Sequence, residues 1–297
     1  MGRTCPMPHK KYCFYLSLII LLSALCCRQN CRAQDAPSPP KELQDLYTEL
    51  NDELSHTEEL FGLDVNRGSY PTAVCAVLHL TQQDYKDYLA ELDRWKAIGL
   101  GGVVLQAGFP RLYRPFYRTR DDYRAELDFY KKLVNDIKAR GFKLIIEIQP
   151  FNARLGGEED KEGSEQFCRK FKFKDYLKAR SLTAAVIATE LRPEYLSIIN
   201  EPDTEENFSG QPVNYPGASA QLVSLAIGEV RKYKIKGVKL CAGVGLWHPR
   251  YRSFLVSFAR SGRLDCLDLH SYPVNLGLLE RMDEAADIAA KYHKRIG

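Results

Sequence analysis

Three short stretches carry side chains fit for chemistry. Asn200-Glu201-Pro202 closes the apolar run EYLSIIN, residues 194–200. His270-Ser271-Tyr272 closes LDCLDLHSY, 264–272, and Gly245-Leu246-Trp247-His248 follows GVKLCAGVG, 237–245. A carboxyl such as Glu201 can give and take a proton, and here it sits at the tip of a stiff element beside an amide donor. Pro202 turns the chain away and adds no backbone donor of its own. His270 and Tyr272 stand two apart on an extended run and so project to one side. Glu147 and Gln149 share a face in the same way at the end of FKLIIEIQP, 142–150. FPRLYRPFY, 109–117, adds arginines and aromatic rings.

The elements that position these groups alternate. From residue 70, six apolar runs of strand length (72–80, 101–108, 142–150, 194–200, 237–245 and 264–272) are each followed by a helical pattern, several of them stopped by glycine. Strand alternating with helix predicts an α/β fold with a parallel sheet, and runs apolar almost throughout predict burial on both faces. Doubly wound and closed-barrel topologies both fit. No GxGxxG follows the first strand and no GxxxxGK[ST] occurs, which weakens a nucleotide-binding doubly wound fold. Polar and aromatic residues gathered after strand ends suit the mouth of a (β/α)8 barrel, of which about six units are present. The last helical pattern runs to Gly297, where a seventh strand is due, so the chain reads as truncated, with a partial catalytic barrel at 70–297. The polar segment at Glu158, Glu159, Asp160 and Glu162 reads as a solvated loop, and Asp203, Glu205 and Glu206 as a loop behind Glu201.

The net charge of the whole chain is misleading. The formal charge is +4, but Arg3, Lys10, Lys11, Arg28 and Arg32 fall in residues 1–33, which hold no acid. Five of the 42 basic residues lie there against none of the 38 acidic ones, leaving the remainder at −1. Net charge therefore gives no reason to expect a nucleic-acid partner. Lys10 and Lys11 precede YCFYLSLIILLSALCC, an apolar core short of the ~20 residues of a membrane span, and Cys31-Arg32-Ala33 offers a cleavage site. Residues 1–33 read as a signal peptide, 34–69 as a Pro-rich linker and a pre-domain helix. The expected location is secreted or periplasmic, with no stable membrane span after cleavage; an uncleaved N-terminal membrane anchor is the alternative.

Five of the nine cysteines lie in the leader. The other four, Cys75, Cys168, Cys241 and Cys266, have neither CxxC spacing nor paired histidines, so no zinc site is expected. Cys75, Cys241 and Cys266 read as small buried hydrophobes, with one unassigned disulfide as the alternative. HxH and HExxH are absent, and neither metal nor cofactor is expected.

The pattern resembles the large clan of retaining glycoside hydrolases on (β/α)8 barrels, the cellulase-like or family 5 type in particular. In that clan an Asn-Glu pair, often followed by Pro, ends strand four, and a His-x-Tyr follows strand six. The resemblance spans residues 70–297. It implies cleavage of a β-linked oligo- or polysaccharide with retention, Glu201 being a protonated general acid that returns as base. It further implies that Asn200 donates to the sugar 2-hydroxyl, that Tyr272 bonds the nucleophile carboxylate and that His270 lines the sugar site. Trp247 is either a stacking platform for a sugar ring or a packing residue. Gln149 stands where family 5 relatives usually carry His. The nucleophile belongs at the end of strand seven, expected after residue 297, so this chain by itself is expected to be inactive. The rivals are a carbohydrate-binding barrel without catalysis and an unrelated secreted α/β protein in which the tripeptide is a turn.

Overall fold

Short apolar runs between amphipathic helices pair side by side, because each strand can bury both faces only inside a layer of helices. The computed structural model describes residues 75–78, 85–97, 99–107, 109–148, 158–271 and 276–296, with Lys41, Asp45 and Thr48 as isolated helical positions. The expected signal peptide, the linker and most of the pre-domain stretch lie outside the described residues. The chain divides into two compact units, residues 1–65 with 272–279, and residues 66–271 with 280–297. The described part of the first consists of those three helical positions and the first turn of the last helix. The second carries the sheet.

The order is β1 (Cys75–Leu78), α1 (Tyr85–Ala97), β2 (Gly102–Gln106), α2 (Arg120–Ala139), β3 (Lys143–Glu147), α3 (Glu158–Arg169) and α4 (Phe173–Val186). Then come β4 (Tyr195–Ser197), α5 (Pro202–Ser209), α6 (Pro216–Arg231), β5 (Lys239–Gly245), α7 (Tyr251–Ala259), β6 (Cys266–His270), α8 (Leu276–Lys291) and β7 (Arg295–Ile296). α2 begins where the hydroxyl of Thr119 accepts from the Asp122 backbone N–H, and it ends before Gly141, whose φ of 76° only glycine adopts freely.

All pairings are parallel, and the strands lie in sequential order from β1 to β7. A doubly wound sheet reverses direction partway, and this one does not. It also curls. Glu147 on β3 and His270 on β6 are three strands apart, which a flat sheet would hold about 14 Å apart at ~4.8 Å per strand. Their Oε1 and Nε2 atoms are 3.3 Å apart. Ser197 of β4 likewise bonds Asp268 of β6. Contacts across non-adjacent strands place these side chains inside a barrel. The fold is that of a (β/α)8 barrel, with six β/α units and the start of β7 present.

Alternation along the strands sorts the residues. Leu105, Ile146, Leu196 and Leu240 are register neighbours, all nearly or fully buried, and form one apolar row. The next row, Gln106, Glu147 and Ser197, belongs to the barrel interior. Cys241 continues it, level with Ser197 on one side and Cys266 on the other.

Four details depart from the sequence reading. The last helix stops at Lys291, and Arg295–Ile296 already pairs with Cys266 and Leu267 as the seventh strand. Glu158, Glu159, Asp160 and Glu162 lie on α3, not on a loop. Asp203, Glu205 and Glu206 lie on α5, which Pro202 opens at its first position. Cys241 and Cys266 are buried as expected but joined by a disulfide; Cys168 is buried and free.

Candidate active site

The site is built on a buried ion pair. Arg180 of α4 reaches under the ends of β3 and β4, where its Nη2 donates to the carbonyls of Ile148 and Ile198 at 2.9 and 2.8 Å. The same guanidinium binds Glu205 of α5 through Nε and Nη2, at 2.9 and 2.7 Å, and Tyr176 donates to Glu205 from its hydroxyl. Arg180 and Glu205 are 1 and 2% exposed. Planar, bidentate pairing of this kind fixes orientation as well as charge. One side chain thus clamps two strand ends to the helix that begins immediately after Glu201.

Glu201 stands at the turn between β4 and α5 with φ −137° and ψ 84°. Its Oε2 accepts from Thr204 Oγ1 at 2.7 Å, and its Oε1 lies 2.7 Å from His270 Nδ1. Asn200, buried, places Nδ2 3.1 Å from the other ring nitrogen. Behind the ring, Glu147 offers Oε1 at 3.3 Å and Asp268 Oδ1 at 4.0 Å. Gln106 Nε2 donates to the second oxygen of Glu147 at 3.2 Å, and the Ser197 hydroxyl donates to the second oxygen of Asp268.

This packing sets the charges. Burial disfavours a charged imidazole, but Glu147, Glu201 and Asp268 together push His270 up to about 11. Burial also raises Glu201, yet the hydrogen bonds from His270 and Thr204 outweigh it and hold the carboxyl below its usual range. The sequence reading expected a protonated Glu201; with His270 beside it, Glu201 is ionised at neutral pH. Asp268, driven by burial and opposed by His270, rises to about 6.

Glu147, Asp268 and His270 each bring a ligand-type atom within 4.8 Å of the others, a spacing that a divalent cation can bridge. A cation there would compete with the proton on the coordinating ring nitrogen, since a protonated nitrogen has no lone pair to offer.

Trp247 lies on the loop that follows β5. Its Nε1–H donates to Asp203 Oδ2 at 3.1 Å, tying the loop after β5 to α5. The indole lies against Gly245, where any Cβ would collide with it. Next in sequence, His248 Nε2 lies 2.9 Å from Asn214 Oδ1, and burial lowers the histidine. Of the six candidate residues, the structure brings Asn200, Glu201 and His270 into one network and sets Trp247 on the helix behind Glu201. Gln149 and Tyr272 lie outside the described residues. Glu147 was singled out on the face it shares with Gln149 but given no role in the site, and Asp268 was missed; the available signal was a carboxylate inside each of two otherwise apolar strands, KLIIE and CLDLH.

No family model matches the chain, and no curated protein matches it. Solved structures do. A GH5_18 enzyme from Bifidobacterium longum subsp. longum ATCC 55813 superposes with TM-score 0.48 at 13% identity, over 64% of this chain and 46% of its own. The β-glucosidase of Thermotoga maritima in complex with deoxynojirimycin gives 0.40 at 12%, over 55% and 38%. A β-glucosidase designated 1317 gives 0.48 at 9%, over 77% and 78%. The chain thus spans less than half the length of the first two. The assignment of the fold rests on the chain's own strand order and curvature.

Proposed function

We propose that the protein is an exported glycoside hydrolase acting with retention on a β-linked glycan, with Glu201 as acid/base. One observation carries the reading: a carboxyl at the end of β4, beside Asn200, is gripped by a histidine from the end of β6, at the strand ends where barrel enzymes do their chemistry. Export is supported by the charged, apolar and small-residue segments of positions 1–33.

Retention needs a second carboxylate ~5 Å from the first. Cys266 is level with Arg295, so the position on β7 level with His270 falls four residues after Arg295, beyond Gly297. We place the nucleophile there. Its oxygen bonds the anomeric carbon as the glycosidic C–O bond breaks, and Glu201 gives its proton to the departing oxygen. Glu201 then takes a proton from water, the water oxygen bonds the anomeric carbon, and the nucleophile leaves with its electron pair. The incoming second carboxylate and the exclusion of water by substrate both push Glu201 toward the protonated form that the first step needs. Asn200 donates to the sugar 2-hydroxyl, a bond that strengthens as the transition state forms.

The ionised state of Glu201 favours a second reading, a barrel that binds carbohydrate without cleaving it. One experiment separates the two. In a chain carrying the whole of β7, Glu201→Gln lowers turnover of aryl β-glycosides by about 10²–10⁴-fold if Glu201 is the acid/base. Undiminished turnover would sink the assignment, and saturable oligosaccharide binding with no turnover in either form would support the binding barrel.

A further inference from the structure

Glu147 is a buried carboxylate that the proposed chemistry leaves unused. It ends β3, level with Gln106 and Ser197, and is 5% exposed. Its two oxygens face different partners: Gln106 Nε2 at 3.2 Å and His270 Nε2 at 3.3 Å. The other ring nitrogen of His270 lies 2.7 Å from Glu201. A single imidazole therefore spans the distance from a carboxylate inside the barrel to the carboxyl at its mouth.

We propose that Glu147 is a positioning residue for Glu201, accepting a hydrogen bond from His270 Nε2–H and so fixing the ring with its Nδ1–H directed at Glu201 Oε1. The inference rests on the reading of Glu201 as the reacting carboxyl.

The alternative states of the ring can be compared. The groups facing it are Glu147 from β3, Asn200 and Glu201 from the turn after β4, and Asp268 from β6 itself. A neutral ring can donate from Nδ1 to Glu201 while Nε2 accepts from Asn200 Nδ2. That arrangement points a lone pair at Glu147 and leaves Oε1 of a buried carboxylate without a donor there, a costly state away from water. A ring protonated on both nitrogens donates to Glu201 and to Glu147 at once, and both bonds are charge-assisted. The net balance of three carboxylates against one cation favours this second state, in line with the elevated His270. Asn200 Nδ2 then has no lone pair to meet on the ring and is left for another acceptor, which is the role the proposed chemistry gives it.

The consequence concerns orientation. A ring held from one side only can rotate about its Cβ–Cγ bond. Held at both nitrogens by carboxylates on β3 and after β4, it aims one N–H at one oxygen of Glu201. The Thr204 hydroxyl holds the other oxygen. Both orientations of the Glu201 carboxyl are therefore determined before substrate arrives, as a preorganised acid/base requires.

The test is nitrogen-15 NMR of the histidine ring in this chain, which needs no glycosidase activity. In the unaltered protein, the His270 nitrogens are expected to show imidazolium shifts from pH 5 to 9. Glu147→Gln, which keeps the shape and removes the charge, is expected to bring its deprotonation into that range. Glu147→Asp is expected to restore part of the difference. A His270 that titrates near its ordinary value of about 6.5 in the unaltered protein would overturn the proposal, and that measurement depends on no variant. So would a Glu147→Gln spectrum with the imidazolium intact. Turnover answers a separate question: a Glu147→Gln effect on the ring alongside full activity of Glu201→Gln would leave the carboxylate–histidine coupling standing and remove the glycosidase reading.

Discussion

Arg180 and Glu205 form a fully buried ion pair, Nη2 to Oε2 at 2.7 Å, directly beneath the turn that carries Glu201. Because the same guanidinium holds the carbonyls of Ile148 and Ile198, loss of it frees two strand ends as well as one carboxylate. Arg180→Met strands Glu205 without its cation. Removal of one partner from a buried pair costs about 3–5 kcal/mol. Urea unfolding followed by circular dichroism is expected to show a midpoint lowered accordingly; an unchanged midpoint would mean that Glu205 finds another cation.

The ionic state of the site predicts a definite response to pH. The folded protein raises His270 from 6.5 to about 11, so the folded state holds that proton more tightly than the unfolded chain. Its stabilisation is complete below pH 6.5 and is lost as pH rises through 11. Asp268 has the opposite sign for its type: raised from 3.8 to about 6, it adds no cost below 3.8, an increasing cost up to 6 and a constant one above. Glu201, lowered, stabilises above its ordinary value of 4.5 and loses that contribution as pH falls through its folded value. His270 acts from 6.5 to 11; toward the top of that range Cys168, which burial raises from 9.0 to about 12, also loses stabilisation, so the comparison with His270→Gln isolates the histidine. Unfolding midpoints at pH 6.5, 8 and 9.5 are expected to decline in the unaltered protein and to decline less steeply in His270→Gln. Equal slopes would show that another group governs this limb.

The loop after β5 is set by a missing side chain. Gly245 leaves the space in which the Trp247 indole lies, and Nε1 of that ring holds Asp203 on α5. Gly245→Val displaces the indole and breaks its bond to Asp203. Tryptophan emission is expected to move to longer wavelength as the ring becomes wetter, with a loss of stability of about 1–3 kcal/mol from overpacking. Trp95 emits as well, so a Trp95→Phe background isolates the signal.

Much of the architecture was legible because it depends on local pattern. Apolar runs such as GGVVLQAG and FKLIIEIQP, each followed by an amphipathic helix, mark the strands before any contact is known. Asn200, Glu201 and His270 were legible for a related reason, since polar residues at the ends of apolar runs stand out. α3 was hidden by its polarity and by Gly163, and α5 by its brevity. Pro202 at its first position and Gly210 at its end, with φ 67°, were the usable signals for α5. Glu147 and Asp268 were harder. Each looks like a misplaced charge until the curl of the sheet brings β3 and β6 together, and a curl has no local signature. The disulfide depends on register: Cys241 and Cys266 meet only because β5 and β6 align at that rung. The ionised state of Glu201 in this chain was not legible because the histidine that sets it lies 69 residues away.

The Cys241–Cys266 bond joins two adjacent strands of the barrel across a separation of 25 residues, enclosing α7 in a covalent ring. Under tension applied at the two ends of the chain, force passes through the sulfurs and not through the enclosed segment. At about 3.6 Å per extended residue, roughly 90 Å of contour length stays out of the load path until the bond is reduced. The barrel wall at β5 and β6 is therefore a mechanical shunt. A stretched molecule would keep that part of itself slack, and a reductant would release it as a single added length.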